Sequence, residues 1–187
     1  MSQPAALIVI DAQKGFDSPK WGATHNPACT DNIEALLELW RTNDWPVVLV
    51  RHDSASTTSP LAPGQEGNDL YDEVVGKHDL FITKTVNSAF YGKPNLDEWL
   101  HANDLTKIVI CGITTNYCCE TTARMAGNLG YDVTFAIDAT RTFDLTLLDG
   151  TVVPANTVAA ITAANLHGEF ATVATTAEIV ASAKQLD

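Results

Sequence analysis

The chain has 187 residues, 45% of them hydrophobic and 18% charged, with 11 Gly and 8 Pro; this suits one domain with its own apolar core and excludes a disordered, collagenous or coiled-coil chain. Eleven Lys and Arg against 23 Asp and Glu give a formal charge of −12, so phosphate backbones and anionic lipid would be repelled over most of the surface, and neither nucleic acid nor a membrane is an expected partner. Residues 1–6 show no charged region leading into an apolar stretch, and no apolar run approaches the ~20 residues that span a bilayer, so a soluble, cytoplasmic protein is expected.

In chain order, short aliphatic and β-branched runs alternate with helical stretches. Residues 6–10 (ALIVI) predict the first strand. Over 30–42, Ile33, Leu36, Leu37 and Trp40 recur at the spacing of one helical face, with Thr30 or Asp31 as the expected cap. A strand at 47–51 follows, then a long loop at 52–72 crowded with Ser, Thr, Pro and Gly. A loop of that length inside a compact domain reads either as the wall of a site or as a plain surface excursion. Further strands are predicted at 80–83, 107–111, 133–137 and 170–174, and further helices at 95–102, 116–129, 155–165 and 177–185. Apolar strands joined by helices predict a parallel sheet covered on both faces. The expected architecture is a single-domain, three-layer α/β/α Rossmann-like fold with a six-stranded parallel sheet, spanning residues 1–187.

Ligands of such sheets sit beyond the carboxyl ends of the strands. Three reactive side chains fall there: Asp11 after the first strand, Lys84 after the third, and Cys118 in GITTNYC after the fourth, at the expected start of a helix. A thiol in a first helical turn meets unpaired N–H groups and the positive end of the macrodipole, which can bring its pKa down to ~3.5–7.5. Taken singly, Cys118 also reads as inert core, Asp11 as a capping residue and Lys84 as a solvated lysine. Taken together they fit a thiol nucleophile with a carboxylate base held by a cation.

With these residues in place, the sequence resembles the isochorismatase-like cysteine hydrolases, which include nicotinamidases and carbamoylsarcosine amidase. The resemblance rests on Leu7-Ile8-Val9-Ile10-Asp11-Ala12-Gln13 with Phe16, on Val50-Arg51-His52, and on Thr83-Lys84 followed by Ser88-Ala89-Phe90. It continues in Gly112-Ile113-Thr114-Thr115-Asn116-Tyr117-Cys118 followed by Thr122-Ala123, in Gly130-Tyr131-Asp132-Val133, and in Asp138-Ala139. It covers nearly the whole chain. It implies an Asp11–Lys84–Cys118 triad, a cis peptide bond at Ile113–Thr114, an oxyanion hole made by the backbone N–H groups of Thr114 and Cys118, and a homo-oligomer, often a dimer or tetramer.

One departure narrows the substrate. The nicotinamidase branch carries an Asp-x-His element after the second strand and a further His for a metal, whereas this chain reads Arg51-His52-Asp53-Ser54-Ala55 and scatters its five histidines. No metal and no other cofactor are expected, nicotinamide is disfavoured, and His52 reads as a buried, hydrogen-bonded residue or a pocket wall rather than a ligand. Phe16, Trp21, Phe90, Tyr91 and Tyr117 lie near the triad in sequence and are candidates to line a small-molecule pocket, although Phe90 and Tyr117 read equally as core. Cys119, one helical step from Cys118, should face elsewhere, and Cys29 and Cys111 read as buried or incidental.

The expected function is a metal-independent cysteine hydrolase cutting a C–N bond of a small amide, lactam or ureido compound through a thioester. The rival enzymatic reading is an isochorismatase-type vinyl-ether hydrolase releasing pyruvate, which needs no thiol. A non-enzymatic ligand-binding module is disfavoured, because no glycine-rich phosphate loop follows any predicted strand.

Overall fold

The computed structural model describes residues 4–183. Its elements in chain order are β1 (Ala6–Ile10), α1 (Cys29–Thr42), β2 (Val47–His52), β3 (Leu80–Lys84), α2 (Leu96–Ala102), β4 (Lys107–Ile113), α3 (Glu120–Asn128), β5 (Asp132–Arg141), the two short strands β6 (Leu145–Thr146) and β7 (Val152–Val153), α4 (Ala155–Leu166), β8 (Thr172–Ala174) and α5 (Thr176–Ala183). Six strands pair in parallel in the order β3-β2-β1-β4-β5-β8, and β6 and β7 form a separate antiparallel pair. All five residues of β1 are buried, as expected of a central strand covered on both faces.

One face carries Leu7, Val9, Leu49, Val109 and Cys111 and is covered by Ile33, Leu36, Leu37 and Trp40 of α1 and Ile179 of α5. The other carries Ile8, Ile10, Val48, Val50, Ile82 and Ile110 and is covered by Leu96 and Leu100 of α2, Ala123 and Ala126 of α3, and Leu166 of α4. The chain thus forms three layers around two apolar seams. Because β1 leads toward β2 and β3 on one side while β4, β5 and β8 build the other, the carboxyl ends of β1 and β4 flank the point where the winding reverses.

Several boundaries differ from the sequence expectation. β4 runs two residues further, to Ile113, and β5 extends to Arg141 through polar Asp138 and Thr140, with a register shift between Ile110 and Gly112. β8 begins at Thr172, two residues later than expected. Helix α1 starts at Cys29, and Ala28 stands at its N-cap without a side-chain bond, so neither Thr30 nor Asp31 caps it. The expected helix at 116–129 is a π-helical turn, Thr115–Cys119, running into α3. The last two residues of the expected helix at 177–185 lie outside the described residues.

The expected loop at 52–72 gives its first residue to β2 and is otherwise irregular, with one 3₁₀ turn at Glu66–Asn68. It is pinned rather than loose. Asn68 is buried and donates from Nδ2 to the carbonyls of His52 (3.1 Å) and Leu61 (3.0 Å) and to Asp53 Oδ1 (3.0 Å).

Gly112 has φ +127°, and a Cβ built on it would lie 1.9 Å from the carbonyl oxygen of Ile10. The backbones of β1 and β4 therefore approach more closely than any side chain allows. Gly112→Ala is expected to lower the unfolding free energy by more than about 2 kcal/mol in a urea titration, whereas a loss under about 0.5 kcal/mol would contradict this close approach.

Candidate active site

Four strand ends supply the site. Asp11 follows β1 with φ +49°, left-handed for a residue type that tolerates it better than most. By strand alternation it would face the side of Leu7 and Val9, away from Lys84, which alternates with Ile82 on the opposite face. The left-handed turn brings it over. Lys84 ends β3 and is the register partner of His52, which ends β2.

Lys84 Nζ lies 2.5 Å from Asp11 Oδ2, and both side chains are fully inaccessible. The same ammonium is 3.4 Å from Cys118 Sγ and 3.4 Å from His52 Nδ1. Asn87 Nδ2 approaches the sulfur to 3.6 Å. Asp11, Lys84 and Cys118 thus come together from positions distant in sequence. Asp11 Oδ1 is buried without a hydrogen-bond partner, and one carboxylate oxygen of Asp11 lies within 4.8 Å of the sulfur.

Cys118 sits in the π turn, where the carbonyl of Thr114 accepts from the N–H groups of Tyr117 (3.3 Å) and Cys119 (3.2 Å). Thr122 holds this turn in place: its hydroxyl donates to the Cys118 carbonyl at 2.7 Å and accepts from the N–H of Ala89 at 3.1 Å. The backbone of Cys118 is thereby tied to the segment that follows Lys84. The peptide bond Ile113–Thr114 is cis.

The electrostatics correct one expectation. The Cys118 thiol is pushed up to about 12, first by burial and then by the negative charge of Asp11, which together outweigh Lys84. The resting sulfur is therefore protonated. Burial and a facing carboxylate override the helix-end effect read from the sequence. Burial also raises Asp11, more than Lys84 lowers it, and so makes it a stronger base than an exposed aspartate. Burial works against the charge of Lys84, but Asp11 and Cys118 outweigh it and the ammonium is retained.

Asp11, His52 and Cys118 each offer a ligand atom, all within 4.8 Å of one another. Sequence spacing did not suggest this grouping. Lys84 Nζ is within hydrogen-bond reach of all three residues, so a metal cation there would compete with an ammonium for the same acceptors. The residues present fit a resident metal poorly.

The aromatic candidates divide. Phe16 and Trp21 pack at a tilt, 5.2 Å between centroids, and both stack on Phe143 at 6.2 and 5.8 Å, within the α1-side layer. Phe90 is 4% exposed and packs on Tyr131, which corrects the pocket reading toward core. Tyr91 is 71% and Tyr117 51% exposed. Among the described residues, no hydrogen bond or ring contact joins any of these five to Asp11, Lys84 or Cys118. Gln13 and Asn68 were not singled out from the sequence, and Gln13 could have been found in the motif that begins at Leu7.

Removing the Asp11 carboxylate while keeping Lys84 should favour the thiolate. Asp11→Asn is therefore expected to speed alkylation of Cys118 by iodoacetamide at pH 7.5 by about tenfold, the effect of one pKa unit on thiolate fraction. Slower or unchanged alkylation, followed by intact mass, would refute this account of the charges.

An isochorismatase domain model matches residues 5–178. The isochorismatase family protein YrdC of Bacillus subtilis is 43% identical over 182 residues, covering 96% of each chain. Nicotinamidase 3 of Arabidopsis thaliana is 31% identical over 165 residues, covering 81% of this chain and 80% of that one. A crystal structure from Chromobacterium violaceum, assigned to the isochorismatase family of hydrolases, superposes with a TM-score of 0.91 at 37% identity, covering 96% of this chain and 93% of the other.

Proposed function

The chain belongs to the isochorismatase family of hydrolases, and from that premise we propose that it is a cysteine amidohydrolase cutting a C–N bond of a small amide, lactam or ureido compound. The observation that carries this reading is the position of Lys84 Nζ, bonded to Asp11 and in reach of the Cys118 sulfur inside a buried cluster. Similarity to a nicotinamidase supports amide chemistry as the reaction class, while the poor fit for a metal separates this site from one that relies on an ion.

The proton starts on sulfur and must leave as the bond to carbon forms. Asp11, made more basic by burial, takes it while Cys118 Sγ adds to the carbonyl carbon. Lys84 stays close to both groups and balances the negative charge that appears on sulfur. The carbonyl oxygen, now negative, is met by the backbone N–H groups of Thr114 and Cys118, a type of donor worth roughly 2.7–4 kcal/mol where measured. Asp11 returns its proton to the departing nitrogen as the C–N bond breaks, leaving an acyl thioester on Cys118. Water then loses a proton to Asp11 and adds to the thioester, and the thiol is re-formed as the acid departs.

The substrate is a small molecule, and the working form is proposed to be a cytoplasmic homo-oligomer. Among the described residues, no helix is long and apolar enough to cross a membrane.

Intact-mass spectrometry during incubation with a panel of small amides, lactams and ureido acids tests the proposal. At least one member should leave a transient acyl adduct on Cys118, and Cys118→Ala should lose both adduct and turnover. Turnover of these compounds that survives in Cys118→Ala would overturn the thioester route, and turnover of a vinyl ether that survives in Cys118→Ala would favour the rival reading, which needs no sulfur.

A further inference from the structure

We propose that His52 is a positioning residue that, as a neutral imidazole, accepts the third N–H of Lys84 and so fixes how that ammonium is shared between Asp11 and Cys118. The inference rests on the reading of Lys84 as part of the reacting cluster. An ammonium has three donors and no acceptor. Three acceptors stand around Lys84 Nζ: Asp11 Oδ2 at 2.5 Å, Cys118 Sγ at 3.4 Å and His52 Nδ1 at 3.4 Å. With two partners alone the group could rotate about its Cε–Nζ bond or lean wholly onto the shorter contact, to Asp11. A third anchor on the strand between β1 and β3 fixes the tripod.

His52 can serve only with Nδ1 unprotonated, which places its proton on Nε2, and the backbone carbonyl of Val86 faces the ring as acceptor. Burial, and then the charge of Lys84, hold the imidazole below its ordinary pKa against the opposing pull of Asp11 and Asp53. The backbone that carries the ring is held from behind. Gln13, fully buried, accepts the His52 N–H on Oε1 (2.8 Å) and donates from Nε2 to the His52 carbonyl (3.1 Å) and to the Asn68 carbonyl (2.8 Å). Asn68 adds a second donor to the same His52 carbonyl at 3.1 Å. Both backbone polar groups of His52 are thus fixed by side chains outside the ion pair, and this ties the pinned loop at 53–68 to the geometry of Lys84.

The experiment has two readouts, neither of which needs a substrate. Two-bond ¹H–¹⁵N spectra of the protein labelled with ¹⁵N-histidine, with His52 assigned by its loss in His52→Asn, should show the Nε2–H tautomer at pH 7.5 and a neutral ring still at pH 6. An Nδ1–H tautomer, or an imidazolium at pH 7.5, overturns the proposal. Iodoacetamide alkylation of Cys118 at pH 7.5 should slow about tenfold in His52→Ala, the scale of one hydrogen bond to a charged group, and return to within about twofold of wild type in His52→Asn, whose Oδ1 can accept from Lys84. Equal losses in both variants, the mark of a merely structural residue, or no loss in His52→Ala, overturn it as well. Failure to find an acyl adduct would count against the amidase reading and leave these two readouts unchanged.

Discussion

The ion pair between Lys84 and Asp11 is the constraint on which the site depends. Both side chains are fully inaccessible, and a single charge in that position would face a desolvation penalty of several kcal/mol. Each group is tolerable because the other is present. The pair does not consume all the hydrogen-bonding capacity around it: one carboxylate oxygen remains without a partner, and the ammonium also reaches Cys118 Sγ and His52 Nδ1. This surplus polarity beside a sulfur atom separates a reactive arrangement from a structural salt bridge.

Sheet order makes the pair possible. β3 and β1 are separated by β2, about 10 Å at ordinary strand spacing. A lysine is long enough to reach back over the end of the intervening strand, and the left-handed turn at Asp11 carries the carboxylate to meet it. β4 then approaches β1 through Gly112, so the segment leading to Cys118 leaves the sheet next to Asp11. The three groups therefore depend on four neighbouring strands being paired in register, and the stability of the sheet centre is also the stability of the site.

The six strands were legible because each is a short run rich in aliphatic and β-branched residues, and the three reactive residues because each follows such a run. What escaped was set by contacts that leave no local trace. β5 continues through Asp138 and Thr140, whose polar side chains are used within the fold: Asp138 accepts from the N–H and hydroxyl of Thr176, and Thr140 from the hydroxyl of Thr115. The π turn at Cys118 has no compositional mark, so helix-end electrostatics were expected where burial governs. His52 was read as a buried, hydrogen-bonded residue or a pocket wall with no partner named, because its contact with Lys84 depends on the register of β2 against β3, which the sequence does not encode in any spacing. The Ser- and Pro-rich stretch beginning at His52 read equally as the wall of a site or as a surface excursion, and the buried amides of Gln13 and Asn68 show it anchored to the frame.

The protonated resting state of Cys118 has a consequence for durability. Peroxides attack thiolates, and in the proposed mechanism a sulfur that gives up its proton to a neighbouring carboxylate as an acyl group arrives would present little thiolate at rest. Cys118 is 7% exposed, and the remaining cysteines are buried and unpaired. In the proposed mechanism such a site would be less open to oxidation between turnovers, and would need a substrate able to draw the proton across.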